Sequence, residues 1–148
     1  MTELPGNHAA AMVDAVVETF ENLAFMEPEH LPGERPSFGE TAIRYRLAIT
    51  SPFAGWIRLT IEKDLAASIA GTVWSLDPAE VEEQLCRDNI AEILNTIAGR
   101  FMKAAIPGDQ LFALGLPEPC EPEDATAGAD ATYPFLLEGS LFRIDLVC

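Results

Sequence analysis

Positive charge is what this chain has least of. Its 9 Lys and Arg face 24 Asp and Glu, for a formal net charge of −15, and no two of the bases are adjacent. Nucleic acid and anionic lipid are held by clustered Lys and Arg, so neither is expected as a partner. Cysteine is also sparse: Cys86, Cys120 and Cys148 are odd in number, widely spaced and without a C-x-x-C pair. That excludes a disulfide framework and a zinc site, and leaves three reduced thiols. The two histidines, His8 and His30, sit beside expected helix ends or loops with no positioned partner, so neither is given a catalytic or metal role. No run of about 18 apolar residues is present to span a membrane. The opening Met1-Thr2-Glu3-Leu4-Pro5 lacks the basic and apolar regions of a secretory signal, and a cytoplasmic location is expected.

What the chain does have is enough apolar material for a core: 49% of its 148 residues are hydrophobic. A domain of this length buries roughly 68–70% of its unfolded surface, and residues 1–148 read as one domain. Two halves of similar design follow one another. In the first, Met12, Val16, Phe20 and Leu23 mark one side of a helix from Ala9 to about Ala24, widened by Val13, Val17 and Ala24. Pro28, Pro32, Gly33 and Pro36 then make a loop. Ile43, Tyr45, Leu47 and Ile49 alternate with Arg44 and Arg46, a strand with one wet face, and Ile57, Leu59 and Ile61 repeat the alternation against Arg58, Thr60 and Glu62. The turn Ser51-Pro52-Phe53 makes them a hairpin.

The second half begins after a short helix from Asp64 to about Trp74. Asp77-Pro78 with Glu80 and Glu82 supplies an N-cap, a first-turn proline and first-turn acids, so a long helix is expected from there to about Ala105, stopped by Pro107-Gly108. Strands are expected at Gln110–Leu116, Tyr133–Leu137 and Gly139–Val147. Residues 117–132, acidic and rich in Pro and Ala, read as a surface loop within the domain. The order gives an α+β fold of pseudo-duplicated helix/strand units, with an antiparallel sheet and the long helices packed on one face.

The long second helix carries a polar stripe. Asp88, Glu92, Asn95 and Gly99 are spaced by four, three and four residues, which at about 100° per residue confines them to roughly 60° of the helix circumference. Cys86, Ile90, Ile93, Leu94, Ile97 and Phe101 centre on the opposite side. Burying that side points Glu92 and Asn95 outwards together. The first helix repeats the spacing with Asp14, Glu18 and Glu21, but its last position is an acid in place of an amide. Glu and Asn are common on solvated helix faces, so a bare E-x-x-N is weak. The repeat, the helical glycine within the stripe and the surroundings strengthen it.

Asp88-x-x-x-Glu92-x-x-Asn95 on a long helix of a pseudo-duplicated α/β chain resembles the CheC/CheX/FliY family of bacterial chemotaxis phosphatases, whose active sites carry an Asp/Ser-x-x-x-Glu-x-x-Asn signature. The similarity runs from the first helix, through the strand containing Gly55 and the helix after Lys63-Asp64-Leu65-Ala66, to Pro117. Having one intact motif, the chain resembles the CheX branch more than CheC, whose members typically carry two.

The resemblance implies hydrolysis of the aspartyl phosphate of a CheY-like response-regulator receiver. It implies catalytic roles for Glu92, docking the helix through the receiver's Lys, and for Asn95, orienting the attacking water. Asp88 and Gly99 are assigned to partner binding: Asp88 extends the acidic stripe or tunes the helix surface, and Gly99 leaves room for close approach. The chain needs no cofactor or metal of its own, the Mg2+ belonging to the receiver, and a CheX-like homodimer through sheet edges is expected. Two other readings compete. One is a non-catalytic receiver-binding or flagellar-switch-type adaptor of the same fold. The other is a metal-dependent hydrolase built on Asp88 and Glu92, for which no His or further carboxylate is placed to complete a coordination sphere.

Overall fold

The computed structural model describes residues 8–106, 108–122 and 129–148. Its elements are α1 (His8–Ala24), β1 (Glu29–His30), β2 (Ile43–Ser51), β3 (Gly55–Ile61), α2 (Lys63–Trp74), a 3-10 turn (Pro78–Glu80), α3 (Glu83–Ala105), β4 (Ala113–Leu114), β5 (Glu118–Pro119), β6 (Ala131–Leu137) and β7 (Ser140–Val147). The strands form one antiparallel sheet in the order β1-β6-β7-β3-β2-β4, with β5 also pairing with β2.

The duplication is visible in this order. The β2–β3 and β6–β7 hairpins meet at the centre through β3 and β7, where Ile57 lies opposite Leu146 and Leu59 opposite Ile144. Each long helix is followed by a short strand that crosses to the other unit: β1, after α1, pairs with β6, and β4, after α3, pairs with β2. The centre is tightly joined, since a Cβ at Gly55 would collide with the Val147 carbonyl oxygen.

The helices lie on one face because the alternation in the strands puts an apolar row there. Ile43, Leu47, Ile49, Ile57, Leu59, Ile61, Phe135, Phe142, Ile144 and Leu146 are buried in one cluster with Met12, Val16 and Phe20 of α1 and Ile90, Leu94, Ile97 and Phe101 of α3. Phe142 stacks on Phe135 at 5.2 Å between ring centroids and touches Phe20 at 5.1 Å. At about 25 cal/mol per Å² of apolar surface removed from water, this layer is the main source of stability.

The opposite face of the sheet is less wet than its alternation suggests. Arg58, Thr60 and Asp145 are buried there, and Arg58 lies directly across from Asp145. Asp145 accepts hydrogen bonds from Thr132 Oγ1 at 2.9 Å and Arg143 Nε at 3.0 Å, while the Arg143 guanidinium lies 5.3 Å from the Phe38 ring centroid. Arg46 is clamped between Glu118, at 2.8 Å, and the Trp56 ring, at 4.2 Å from its centroid. Burial pushes the Asp145 carboxyl above the usual aspartate value, against the opposing pull of Arg143, Thr132 and Arg58.

Three expectations need correcting. The N-cap at Asp77 is real, accepting from the Ala79 N–H while Glu80 accepts from the Asp77 N–H, but this capping box closes a single 3-10 turn. Val81 and Glu82 then run extended, and α3 begins only at Glu83. The expected strand Gln110–Leu116 shrinks to Ala113–Leu114, whose two pairings, to Ser51 and Ile49, have a register shift between them. Within the expected 117–132 loop, Glu118–Pro119 pairs with β2 and Ala131 starts β6, while residues 123–128 lie outside the described residues. His30, in the unexpected β1, packs its ring against Tyr133 and Phe135, and burial lowers its pKa.

Candidate active site

The stripe on α3 stands as its periodicity predicts. Cys86, Ile90, Ile93, Leu94, Ile97 and Phe101 are buried, whereas Asp88, Glu92 and Asn95 are exposed and Gly99 is half-buried. The helix is long, 23 residues, and its apolar side is fixed against α1, α2, β2 and β3. Its outer side therefore presents Glu92 and Asn95 from a rigid support, as a positioning site requires.

The members of the stripe differ in their local ties. Gln84 Nε2 donates to Asp88 Oδ1 at 2.8 Å, so Asp88 is held along its own helix. Thr96 Oγ1 bonds back to the Glu92 carbonyl at 2.9 Å, which uses the backbone of Glu92 and leaves its carboxylate in solvent. Neither the Glu92 carboxylate nor the Asn95 amide has a hydrogen bond or ion pair among the described residues. Both stay available to a partner. A Cβ built at Gly99 meets nothing within 4 Å. Gly99 is thus unlike Gly71 of α2, where a Cβ would stand 2.7 Å from the Leu76 carbonyl oxygen. No contact among the described residues demands a glycine at 99.

The first-copy stripe lies on α1, packed beside α3. Asp14, Glu18 and Glu21 are exposed on it. Arg100, one residue past Gly99, reaches across to Glu18 with Nη1 3.0 Å from Oε2. The two copies are therefore not equivalent: Glu18 is engaged by a cation, Glu92 is not.

Sequence reasoning missed what flanks the stripe. A groove of about 320 Å³ opens where the ends of α1 and α2 meet the start of α3, lined by Leu23, Val73, Trp74, Leu85, Asp88, Asn89 and Glu92. Trp74 is 56% exposed, and Asn89, although next to Asp88, is 9% exposed on the inward side. Trp74 and Asn89 carry signals in the sequence, but only packing brings the helix ends together. Cys86 is buried, and burial raises its thiol pKa despite Lys63 and Arg87 nearby. Among the described residues, no three His, Cys, Asp or Glu side chains gather so as to hold a metal ion, and no helix is long and apolar enough to cross a membrane.

Comparison with known proteins agrees with the architecture. Among solved structures, the chain is similar to the chemotaxis protein CheX from Vibrio vulnificus, at a TM-score of 0.78 and 14% identity over 99% of each chain. It is also similar to CheX in the CheX-CheY-BeF3-Mg2+ complex from Borrelia burgdorferi, at 0.75 and 16%, covering 95% of this chain and 96% of that one. Thermotoga maritima FliY follows at 0.65 and 15%, covering 96% and 86%. At these identities the likeness establishes the fold. No curated protein matches the sequence. The family model described as chemotaxis phosphatase CheX matches residues 46–137, more than half of the chain and the whole of the Asp88–Gly99 stripe, and on that match the chain belongs to the CheX family of chemotaxis phosphatases.

Proposed function

We propose that this chain hydrolyses the aspartyl phosphate of a CheY-like response-regulator receiver, with Asn95 orienting the attacking water and Glu92 docking the helix. The observation that carries this reading is the pair of exposed, unengaged side chains, Glu92 and Asn95, one turn apart on a helix whose other side is buried. An acyl phosphate is already activated, and its transfer to water proceeds roughly in line through a loose transition state, so a helper protein contributes mainly positioning. The Asn95 amide oxygen accepts a hydrogen bond from the water, and its NH2 donates toward the phosphoryl oxygens without adding negative charge. The water oxygen bonds to phosphorus as the bond from phosphorus to the aspartyl oxygen breaks. Inorganic phosphate and a free carboxylate result, and the water's proton passes to phosphate or solvent.

The Glu92 carboxylate pairs with a receiver cation, in the role the family resemblance gives it with the receiver's Lys. Asp88, braced by Gln84, extends the acidic contact, and Gly99 gives the receiver clearance. Mg2+ stays with the receiver, as the Borrelia burgdorferi complex, which contains CheY, BeF3 and Mg2+, makes reasonable for that protein. The reading takes the chain as cytoplasmic, one domain, and carrying one working motif, since Arg100 occupies Glu18 in the first copy. A homodimer through the β4 edge is supported by Leu111, Phe112 and Leu116, which are 87%, 36% and 85% exposed around a two-residue edge strand.

Similarity to Thermotoga maritima FliY and to the FliM middle domain from Vibrio alginolyticus keeps one competitor, a receiver-binding adaptor without turnover. Incubation of the chain with a phosphorylated receiver from the same genome separates the two. Accelerated phosphate release that vanishes in Asn95→Ala with binding retained supports the phosphatase; binding with no acceleration supports the adaptor.

A further inference from the structure

The groove beside Glu92 adjoins the stripe and is left unused by the phosphatase reading. Trp74, which lines it, is 56% exposed, and two large apolar residues within two positions of its lining in the sequence, Leu76 and Phe25, are 38% and 86% exposed. Phe25 follows α1 two residues after Leu23 and holds φ at +55°, a helix-end conformation that glycine or asparagine adopts more readily. Trp74 ends α2 and lines the groove directly. The wall also contains the Asn89 side-chain nitrogen, buried and without a hydrogen-bond partner.

Charge decides what such a groove can hold. Its rim carries two carboxylates, Asp88 and Glu92, and no Lys or Arg is among the described residues lining it. A second copy docked face to face would set those same acids against one another, since a two-fold contact pairs identical patches. An occupant with a cation beside an apolar side chain satisfies both parts at once. Glu92 belongs to the groove and to the stripe, so whatever contacts Asn95 lies against the groove as well. The chain's charge of −15 gives no long-range attraction to a phosphorylated partner. Burial of apolar surface supplies affinity that charge does not.

We infer that the groove between Trp74, Leu23 and Leu85 receives an apolar side chain of the phosphorylated receiver, adjoining a basic residue that meets Asp88 and Glu92. This rests on the receiver-phosphatase reading and adds to it the anchor that sets affinity, distinct from the pair that sets the chemistry. Trp74 is accordingly a binding residue, and Asn89 offers its amide to the occupant's backbone.

The test uses the two tryptophans. In a Trp56→Phe background, Trp74 is the sole tryptophan and reports on the groove. The probe is the receiver carrying beryllofluoride and Mg2+ as a stable phosphoryl mimic. The expected result is a saturable blue shift of Trp74 emission. In Trp74→Ala, the Kd for the same probe and the KM for the phosphorylated receiver should both rise about tenfold, with kcat changed far less. Unchanged emission and unchanged Kd, with phosphate release still accelerated, would overturn the groove and leave the phosphatase standing. A blue shift that grows with protein concentration in the absence of receiver would overturn it in favour of a second copy. If the wild-type chain neither binds nor dephosphorylates the receiver, the underlying reading fails and the groove assignment with it. The emission measurement keeps the native Trp74, so it decides the matter even where Trp74→Ala does not fold.

Discussion

Replacing Gly99 with alanine should make the protein more stable and a poorer phosphatase at the same time. Gly99 lies well inside the 23-residue α3, without a positive φ, and an added Cβ meets nothing within 4 Å. Glycine there costs about 1 kcal/mol relative to alanine through lost backbone entropy, with no clash to offset the gain. Urea denaturation should therefore give a midpoint shift equivalent to about 1 kcal/mol, or roughly 2–4 °C in Tm for a chain of this size. The position sits within the arc spanned by Asp88, Glu92 and Asn95, so a receiver seated on Glu92 and Asn95 passes close over it. A methyl group inserted into that contact should cost on the order of 1–3 kcal/mol of overpacking, a loss of roughly five- to 150-fold in kcat/KM. The two assays together decide whether Gly99 serves the fold or the partner. A variant that is stabilised and fully active refutes the clearance role, and a destabilised one refutes the reading of the helix itself.

Other outcomes follow from the same geometry. Burial raises the Asp145 pKa in the folded chain, so the folded state binds that proton more tightly than the unfolded state. Stability attributable to Asp145 is full below its ordinary value of 3.8 and declines as pH rises through the raised value. The stability of wild type relative to Asp145→Asn should fall over that window in denaturation curves and level off above it; a rise over the same window would contradict the assignment. Glu21→Asn in an Asn95→Ala background should restore no phosphatase activity, because Arg100 still holds Glu18; recovery of turnover would show a latent second site. Leu116→Asp should lower the sedimentation mass of the proposed dimer to that of a monomer, since Leu116 is 85% exposed at the β4 edge, and an unchanged mass would remove that edge from the interface.

The sequence was most legible where periodicity and burial coincide. The apolar row from Cys86 to Phe101 and the acids opposite it alternate at 3.6 residues over many turns, and such a pattern leaves one orientation for Glu92 and Asn95. The hairpins were legible for the same reason at period two. The two-residue strands β1, β4 and β5 were not, because each exists only by pairing with a strand distant in sequence: Glu29 with Leu136, Leu114 with Ile49, Glu118 with Arg46. Asp77-Pro78 illustrates a different limit. Its cap signal was genuine, but a cap marks where a helix begins and not how far it runs, and Val81 turns extended to reach the core's edge. Burial of Arg58, Thr60 and Asp145 depended on what covers the outer face of the sheet, which alternation within a strand does not reveal. The groove was hidden because its walls come from three helices. In the sequence, Trp74 and Asn89 are fifteen residues apart and look like an ordinary aromatic and an ordinary amide.

Glu92 and Asn95 bear the weight of the functional account, and Asn95 is the member whose chemistry cannot be replaced by charge. The direct measurement is the rate of phosphate release from a phosphorylated receiver, with wild type and Asn95→Ala compared at saturating protein. The account predicts acceleration by the wild type, a fall of roughly a hundredfold or more in the variant from loss of water positioning, and receiver binding by the variant close to that of wild type. Equal rates for the two proteins would contradict it.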